Sequence, residues 1–293
     1  MPRRRPARIG RVISHQLTRT VHWRGRVVAW DRFGSGPALV LLHGTPWSSA
    51  LWRPIADALS ARFTVYLWDM PGYGASSKNA HHDVDLGLQG ELFAHLLSEW
   101  QLDRPHVIAH DFGGAVALRA RLLHGASYSS LCLVDVVALR PWGSPFFTLV
   151  KQHADVFTQL PSAVHRGAVE AYVRGASHRG IRDDDLAMLV DPWTGDEGQA
   201  AFYRQIAQAD ERYTDEVQPL YGTLDEPTHI VWGAEDTWIP VDRAHRLRAL
   251  IPHATSAQID GAGHLVQLDA PAPLAAELAR WGERVRSIAA AEM

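Results

Sequence analysis

From Ala38 onward the chain alternates short apolar runs with longer stretches in which apolar residues recur every three or four positions. Runs of roughly five residues closed off by Gly and Pro have the length of buried strands, and the periodic stretches have the length of helices. This alternation predicts the α/β class, with a mostly parallel, doubly wound sheet. Ala38 to Leu42 reads as a strand running into the loop His43-Gly44-Thr45-Pro46, after which Ser48 or Ser49 caps a helix through Leu59. Phe63 to Trp68 is the next strand. It empties into Asp69-Met70-Pro71-Gly72-Tyr73-Gly74-Ala75-Ser76, where Pro and two Gly stop helix and strand alike. Leu88, Leu92, Leu96 and Trp100 share one face of a helix expected from about Asp83 to Trp100, with His81-His82-Asp83 as its solvated start and Asp83 as its N-cap.

Pro105 to His110, Leu131 to Val136 and Thr228 to Trp232 read as further strands of the same sheet. Arg11 to Asp31 reads as antiparallel strands turning at Arg24-Gly25, on the sheet's edge. After Trp232 come a helix from Val241 to Leu250, a strand near Ala254 to Ile259, the loop Gly261-Ala262-Gly263-His264 and a closing helix begun near Pro271. Residues 137–226 have helical periodicity and no clear strand, too long a stretch for a loop in a compact domain. The expected organisation is therefore a basic flexible tail over 1–15, a core from 16–136 and 227–293, and a helical cap over 137–226.

Composition narrows the classes. With 46% hydrophobic residues in 293, the chain can bury a sizeable core. Its 29 Lys+Arg against 32 Asp+Glu leave a formal charge of −3, too balanced for the electropositive footprint that nucleic acid selects. The 16 His are scattered without the spacings of a metal site, so no metal is expected. Cys132 stands alone in the apolar run Leu131 to Val134, which excludes an internal disulfide and fits a reducing, cytoplasmic setting. Arg3, Arg4, Arg5, Arg8 and Arg11 precede no apolar export segment, and no run approaches the length of a membrane span.

The chemistry concentrates in Val107-Ile108-Ala109-His110-Asp111-Phe112-Gly113-Gly114-Ala115-Val116-Ala117, a strand, a sharp turn and a helix. Ala109 and Gly113 are small where strand and helix approach, as a nucleophile elbow requires, and Asp111 occupies its apex. Asp236 follows the strand ending at Trp232, and His264 follows the next strand. Nucleophile, acid, histidine is the chain order of an α/β-hydrolase triad. Asp236 would hold the imidazole in one tautomer, with Asp135, at the end of the preceding strand, as the competing orienter.

These motifs, together with His43-Gly44-Thr45-Pro46 and the Asp69 to Ser76 loop, resemble the α/β-hydrolase superfamily, and within it the aspartate-nucleophile branch of epoxide hydrolases and haloalkane dehalogenases, from about residue 20 to 285. The resemblance implies a capped active site, hydrolysis with no cofactor, and an oxyanion hole from the backbone amides of Thr45 and Phe112.

The residue type at the apex directs the chemistry further. A carboxylate with an ordinary pKa near ~3.9 is already ionised at neutral pH and attacks unaided. Attack on an ester would give a reactive anhydride, whereas attack on saturated carbon gives an ordinary ester. The substrate is therefore expected to be a small apolar molecule with an sp3 electrophile, and water the second reactant. Epoxide opening needs a proton donor such as a cap phenol. Ala201-Phe202-Tyr203-Arg204 resembles the epoxide hydrolase stretch that carries one, which makes Tyr203 the candidate. Near Val156 and Phe157, where a second phenol belongs in that family, there is none; Tyr172, Tyr213 and His153 are the substitutes. The alternative is dehalogenation of a neutral alkyl halide, with Trp142 or Trp193 as the N–H donor to halide, since Phe112 and Thr45 lack the indole and amide donors that haloalkane dehalogenases usually place there. A charged fluoroacid is excluded, because the arginines that fluoroacetate dehalogenases use correspond to Phe112 and Ala115. A different class, a small-molecule receptor on a hydrolase scaffold, would need no turnover.

Overall fold

The computed structural model describes residues 16–291. Eight strands form one sheet: β1 (Arg19–Trp23), β2 (Arg26–Gly34), β3 (Ala38–Leu42), β4 (Thr64–Trp68), β5 (His106–Asp111), β6 (Ser130–Val136), β7 (Thr228–Gly233) and β8 (Thr255–Ile259). Their spatial order is β1-β2-β4-β3-β5-β6-β7-β8. β1 and β2 form an antiparallel hairpin at the edge, β2 pairs antiparallel with β4, and the remaining pairs are parallel. The hairpin turns at Arg24 and Gly25, both at positive φ. β5 and β6 are buried along their whole length, which is why they read as continuous apolar runs with no alternation.

Between strands run α1 (Arg53–Leu59), α2 (Leu86–Glu99), α3 (Phe112–Leu123), α4 (Pro145–Phe157), α5 (Ser162–Arg174), α6 (Asp183–Val190), α7 (Gly195–Ala207), α8 (Arg212–Asp215) and α9 (Asp242–Leu250), and α10 (Val266–Asp269) and α11 (Pro271–Ala291) follow β8. Ser48 caps a short 3-10 turn that leads into α1. The cap of α2 differs from the sequence expectation. Asp85, and not Asp83, accepts from the N–H groups of Gly87 and Leu88, so the helix starts later; Asp83 instead bonds Arg26 and Gln208. The expected basic tail, 1–15, lies outside the described residues, as does the beginning of the predicted Arg11 to Asp31 hairpin.

The apolar core divides between the two faces of the sheet. Trp68, Phe93, Trp100 and Leu133 belong to one cluster; Trp52, Ile55, Cys132, Val231 and Trp281 belong to the other. Burying side chains of this size stabilises by roughly 1.5–3 kcal/mol each. No helix among the described residues is long and apolar enough to cross a membrane.

Helices α4 to α8 all lie between β6 and β7, with no strand among them. Polar contacts tie this insertion to the sheet-bearing part. Arg119 on α3 donates to the Tyr213 carbonyl at 2.7 Å and pairs with Glu216. The indole N–H of Trp193 donates to the Pro46 carbonyl at 2.7 Å. Asp269 accepts from Ser177 Oγ and from the backbone N–H groups of His178 and Gly263, joining the insertion to the loop that carries His264.

Candidate active site

Asp111 ends β5 and precedes the first residue of α3, with φ 51° and ψ −122°. A non-glycine residue in this region is strained, and the close packing around it holds it there. A Cβ on Gly113 would lie 2.6 Å from the His43 carbonyl oxygen and 2.8 Å from Leu42 Cβ. Only glycine allows the helix to pass so near the strand. Gly44 is constrained in the same way, because a Cβ there would fall inside the Asp111 carboxylate. The bend points Asp111 into a cavity of about 280 Å³.

The two oxygens of Asp111 have different partners. Oδ1 accepts from the Thr45 backbone N–H at 2.6 Å. The N–H of Phe112 stands at the start of α3, where it has no intrahelical acceptor. Oδ2 faces Nε2 of His264 at 3.3 Å. His264 Nδ1 lies 2.9 Å from Asp236 Oδ2, and Asp236 Oδ1 accepts from the N–H groups of Trp238 and Ile239 at 2.8 and 2.9 Å. Asp111, His264 and Asp236 are therefore brought together in line. Burial opposes a charge on His264, but the carboxylates of Asp236 and Asp111 outweigh it and hold the imidazole well above its ordinary range.

Asp135, the competing orienter, makes no hydrogen bond to His264. Its Oδ1 accepts from Gly233 N at 2.8 Å. His110 supports the site from behind: Nε2 donates to the His264 carbonyl at 2.9 Å, and burial together with the charge of His264 pushes its pKa down to about 3. His43 joins the two loops at the strand ends, with Nε2 accepting from Met70 N at 3.0 Å and Nδ1 2.9 Å from the Gly44 carbonyl.

Thr45, Asp111, Phe112, Trp142, Tyr172 and Trp238 are among the residues bordering the cavity. The sequence-derived candidates divide here. Tyr172 lines the cavity: burial, followed by the charge of Asp111, raises its phenol well above the ordinary range, with a side-chain hydrogen bond to Ser144 acting the other way. Tyr203 is not among the cavity residues. Its side chain turns within the insertion to His165, 2.9 Å away, and the other ring nitrogen of His165 bonds the Trp193 carbonyl. Burial alone raises Tyr203, to about 12, with no contribution from Asp111. On α7 it is Gln205, two residues on, that reaches Thr45, accepting from its Oγ1 at 2.7 Å and from Tyr73 Oη at 3.0 Å.

Neither tryptophan candidate offers a free donor to the cavity. Trp142 borders it, but its indole N–H goes to Thr214 Oγ1 at 3.0 Å, and that of Trp193 goes to Pro46. His153 is exposed at a kink in α4. Tyr213 bonds Arg212 through its hydroxyl and does not border the cavity.

Trp238 was not legible as a site residue. Its ring stacks on His264 with centroids 5.2 Å apart and on Tyr172 at 4.4 Å, walling the histidine off from solvent on that side. The signal available was its place two residues after Asp236. Gln205 carried no such signal, since nothing in the sequence orients α7 toward Thr45.

A family model described as alpha/beta hydrolase fold matches residues 37–271. An uncharacterized protein of Mycobacterium tuberculosis is 28% identical over 269 residues, which span 87% of this chain and 77% of that protein. Haloalkane dehalogenase 2 of Mycobacterium bovis is 25% identical over 272 residues, spanning 87% of this chain and 91% of its own. Among solved structures, an alpha/beta hydrolase fold protein from Burkholderia ambifaria matches with a TM-score of 0.87 at 45% identity, covering 90% of this chain and 97% of that one.

Proposed function

The chain belongs to the alpha/beta hydrolase fold family, and from that premise we propose that it opens a small, neutral epoxide to a diol through a covalent ester on Asp111. The observation that carries the choice is Tyr172: its phenol borders the cavity within the field of Asp111, while the indole N–H groups of Trp142 and Trp193 are spent on protein acceptors. A phenol is protonated at neutral pH and can give that proton to the alkoxide that develops as the C–O bond breaks.

Asp111 Oδ2 attacks a ring carbon as the C–O bond breaks, and Tyr172 protonates the departing oxygen. The attack leaves Oδ1 near the Thr45 amide, so the carbonyl oxygen of the ester is already in the oxyanion site, with the Phe112 amide beside it. His264, oriented by Asp236, then takes a proton from water, the hydroxide adds to the Asp111 carbonyl carbon, and the Cγ–Oδ2 bond breaks. The product alkoxide recovers the proton from His264. The second proton of that water returns from the Asp111 carboxyl to Tyr172. Esterification neutralises Asp111 and so removes one of the two charges that raise His264, which lowers its proton affinity at the step that needs a base.

A cavity walled by Phe112, Trp142, Phe147, Tyr172 and Trp238 favours an apolar, aryl-bearing substrate and offers no cation to a charged one. Buried Cys132 is compatible with a cytoplasmic setting. Dehalogenation is the second reading, favoured by the indole of Trp238 at the cavity wall and by the dehalogenase relative. The test supplies purified protein with a styrene-oxide-type epoxide and a bromoalkane and assays diol and bromide. Diol is expected; bromide without diol would replace the first reading with the second.

A further inference from the structure

Pairing between β5 and β6 runs from His110 with Val134 directly to Asp111 with Val136, which makes Asp135 a bulge beside the candidate nucleophile. Its φ is 45°, in the left-handed region. Bulges re-aim side chains, and this one aims a carboxyl group into the fully buried interior. There its Oδ1 accepts from the Gly233 N–H, and the Gly233 carbonyl accepts from the Asp236 N–H at 3.2 Å, so the two carboxylic residues meet at one turn.

Two neighbouring carboxyl groups in a dry interior resist ionising together, and the donors around each decide which one stays charged. Asp236 receives three N–H groups, from Trp238, Ile239 and His264. Asp135 receives one, from Gly233, and its buried Oδ2 has no donor at all. We infer that Asp135 is a neutral carboxylic acid whose O–H donates to Asp236, making it a positioning residue that sets how firmly Asp236 holds a proton on His264. The proton resides on the oxygen that otherwise lacks a partner.

The surrounding charges agree. Burial and then Asp236 push the Asp135 carboxyl well above the usual carboxylate range, and His264 opposes them. From β5 the neighbouring titratable groups are Asp111 and His110, the latter uncharged at neutral pH. By donating to Asp236, Asp135 makes it a weaker base and so keeps His264 from being locked in its protonated form. The triad acid and its neutral partner thus come from two adjacent strand ends.

This inference rests on His264 being the base of the proposed reaction, so one readout is independent of turnover. Infrared difference spectra of wild type against Asp135→Asn at neutral pH should show a protonated-carboxyl band that the variant loses. Its absence from wild type, or its persistence in the variant, overturns the inference whatever the enzyme hydrolyses. In single-turnover ester hydrolysis, Asp135→Asn, whose amide still donates, should keep the wild-type pH profile. Asp135→Ala should move the acid limb about one pH unit to the alkaline side, roughly a tenfold loss of rate there. An unmoved limb in a folded Asp135→Ala protein would refute the positioning role. If no ester forms in any variant, the hydrolytic reading fails and the infrared band still decides the protonation of Asp135.

Discussion

Oδ2 of Asp111 and Nε2 of His264 stand 3.3 Å apart, close enough for their charges to couple and longer than an ordinary N–H···O bond. The oxygen facing the imidazole is not the one that Thr45 holds. The carboxylate thus keeps one anchored oxygen and one available for attack, while His264 is anchored from its far side by Asp236. This division of labour within one side chain suits a two-step displacement.

His264→Gln removes the base but leaves Asp111 free to attack. Substrate should accumulate as an ester on Asp111, seen by intact mass as an adduct of substrate mass. Unmodified protein after exposure to a substrate that wild type consumes would exclude the covalent route.

Tyr172→Phe should cut epoxide turnover by about 10²–10⁴, the range of a lost general acid, while substrate affinity changes little. Tyr203→Phe should leave turnover near wild type and instead lower stability by roughly 1–3 kcal/mol, because the buried His165 nitrogen loses its partner. Steady-state kinetics and denaturant melts on the two variants check both halves; a reversed pattern would return the acid role to Tyr203.

Gly44→Ala places a methyl group where the Asp111 carboxylate lies. The carboxylate must leave Thr45 N, and loss of one oxyanion donor costs ~10²–10³ in rate. Rates close to wild type, with the fold intact by circular dichroism, would show that the Thr45 contact does not matter.

His110 gives a pH signature of stability. Its folded pKa, about 3, lies below the ordinary 6.5, so the unfolded chain takes up a proton that the folded chain refuses. Its contribution is full above about pH 6.5 and declines as the pH falls toward about 3. Between pH 6.5 and 5 this is about 2 kcal/mol. His110→Gln, which can still donate to the His264 carbonyl, should therefore flatten the acid side of the stability profile in urea titrations. An unchanged slope would assign the acid sensitivity to the other buried histidines.

Much of the fold and part of the site could be read from the chain. The strand runs, the Gly-bounded loops at their carboxyl ends and the small residues round Asp111 are local requirements, satisfied by residue type within a few positions of each other. Asp236 and His264 follow strand ends, so their meeting with Asp111 required only that neighbouring parallel strands open on one side of the sheet.

The helical insertion was opaque for the opposite reason. Tyr203 and Gln205 lie two positions apart on α7, about 200° around the helix, and only packing against α4 and α5 decides which of them faces Thr45. Likewise, which tryptophan N–H remains for a ligand depends on acceptors distant in sequence, Pro46 for Trp193 and Thr214 for Trp142. Residue type and order along the chain determined the class of fold and the candidate trio of Asp111, Asp236 and His264. The three-dimensional packing alone assigned Tyr172 to the cavity, turned Tyr203 away from it and set Asp135 against Asp236, because side-chain direction and charge state are properties of what surrounds a residue.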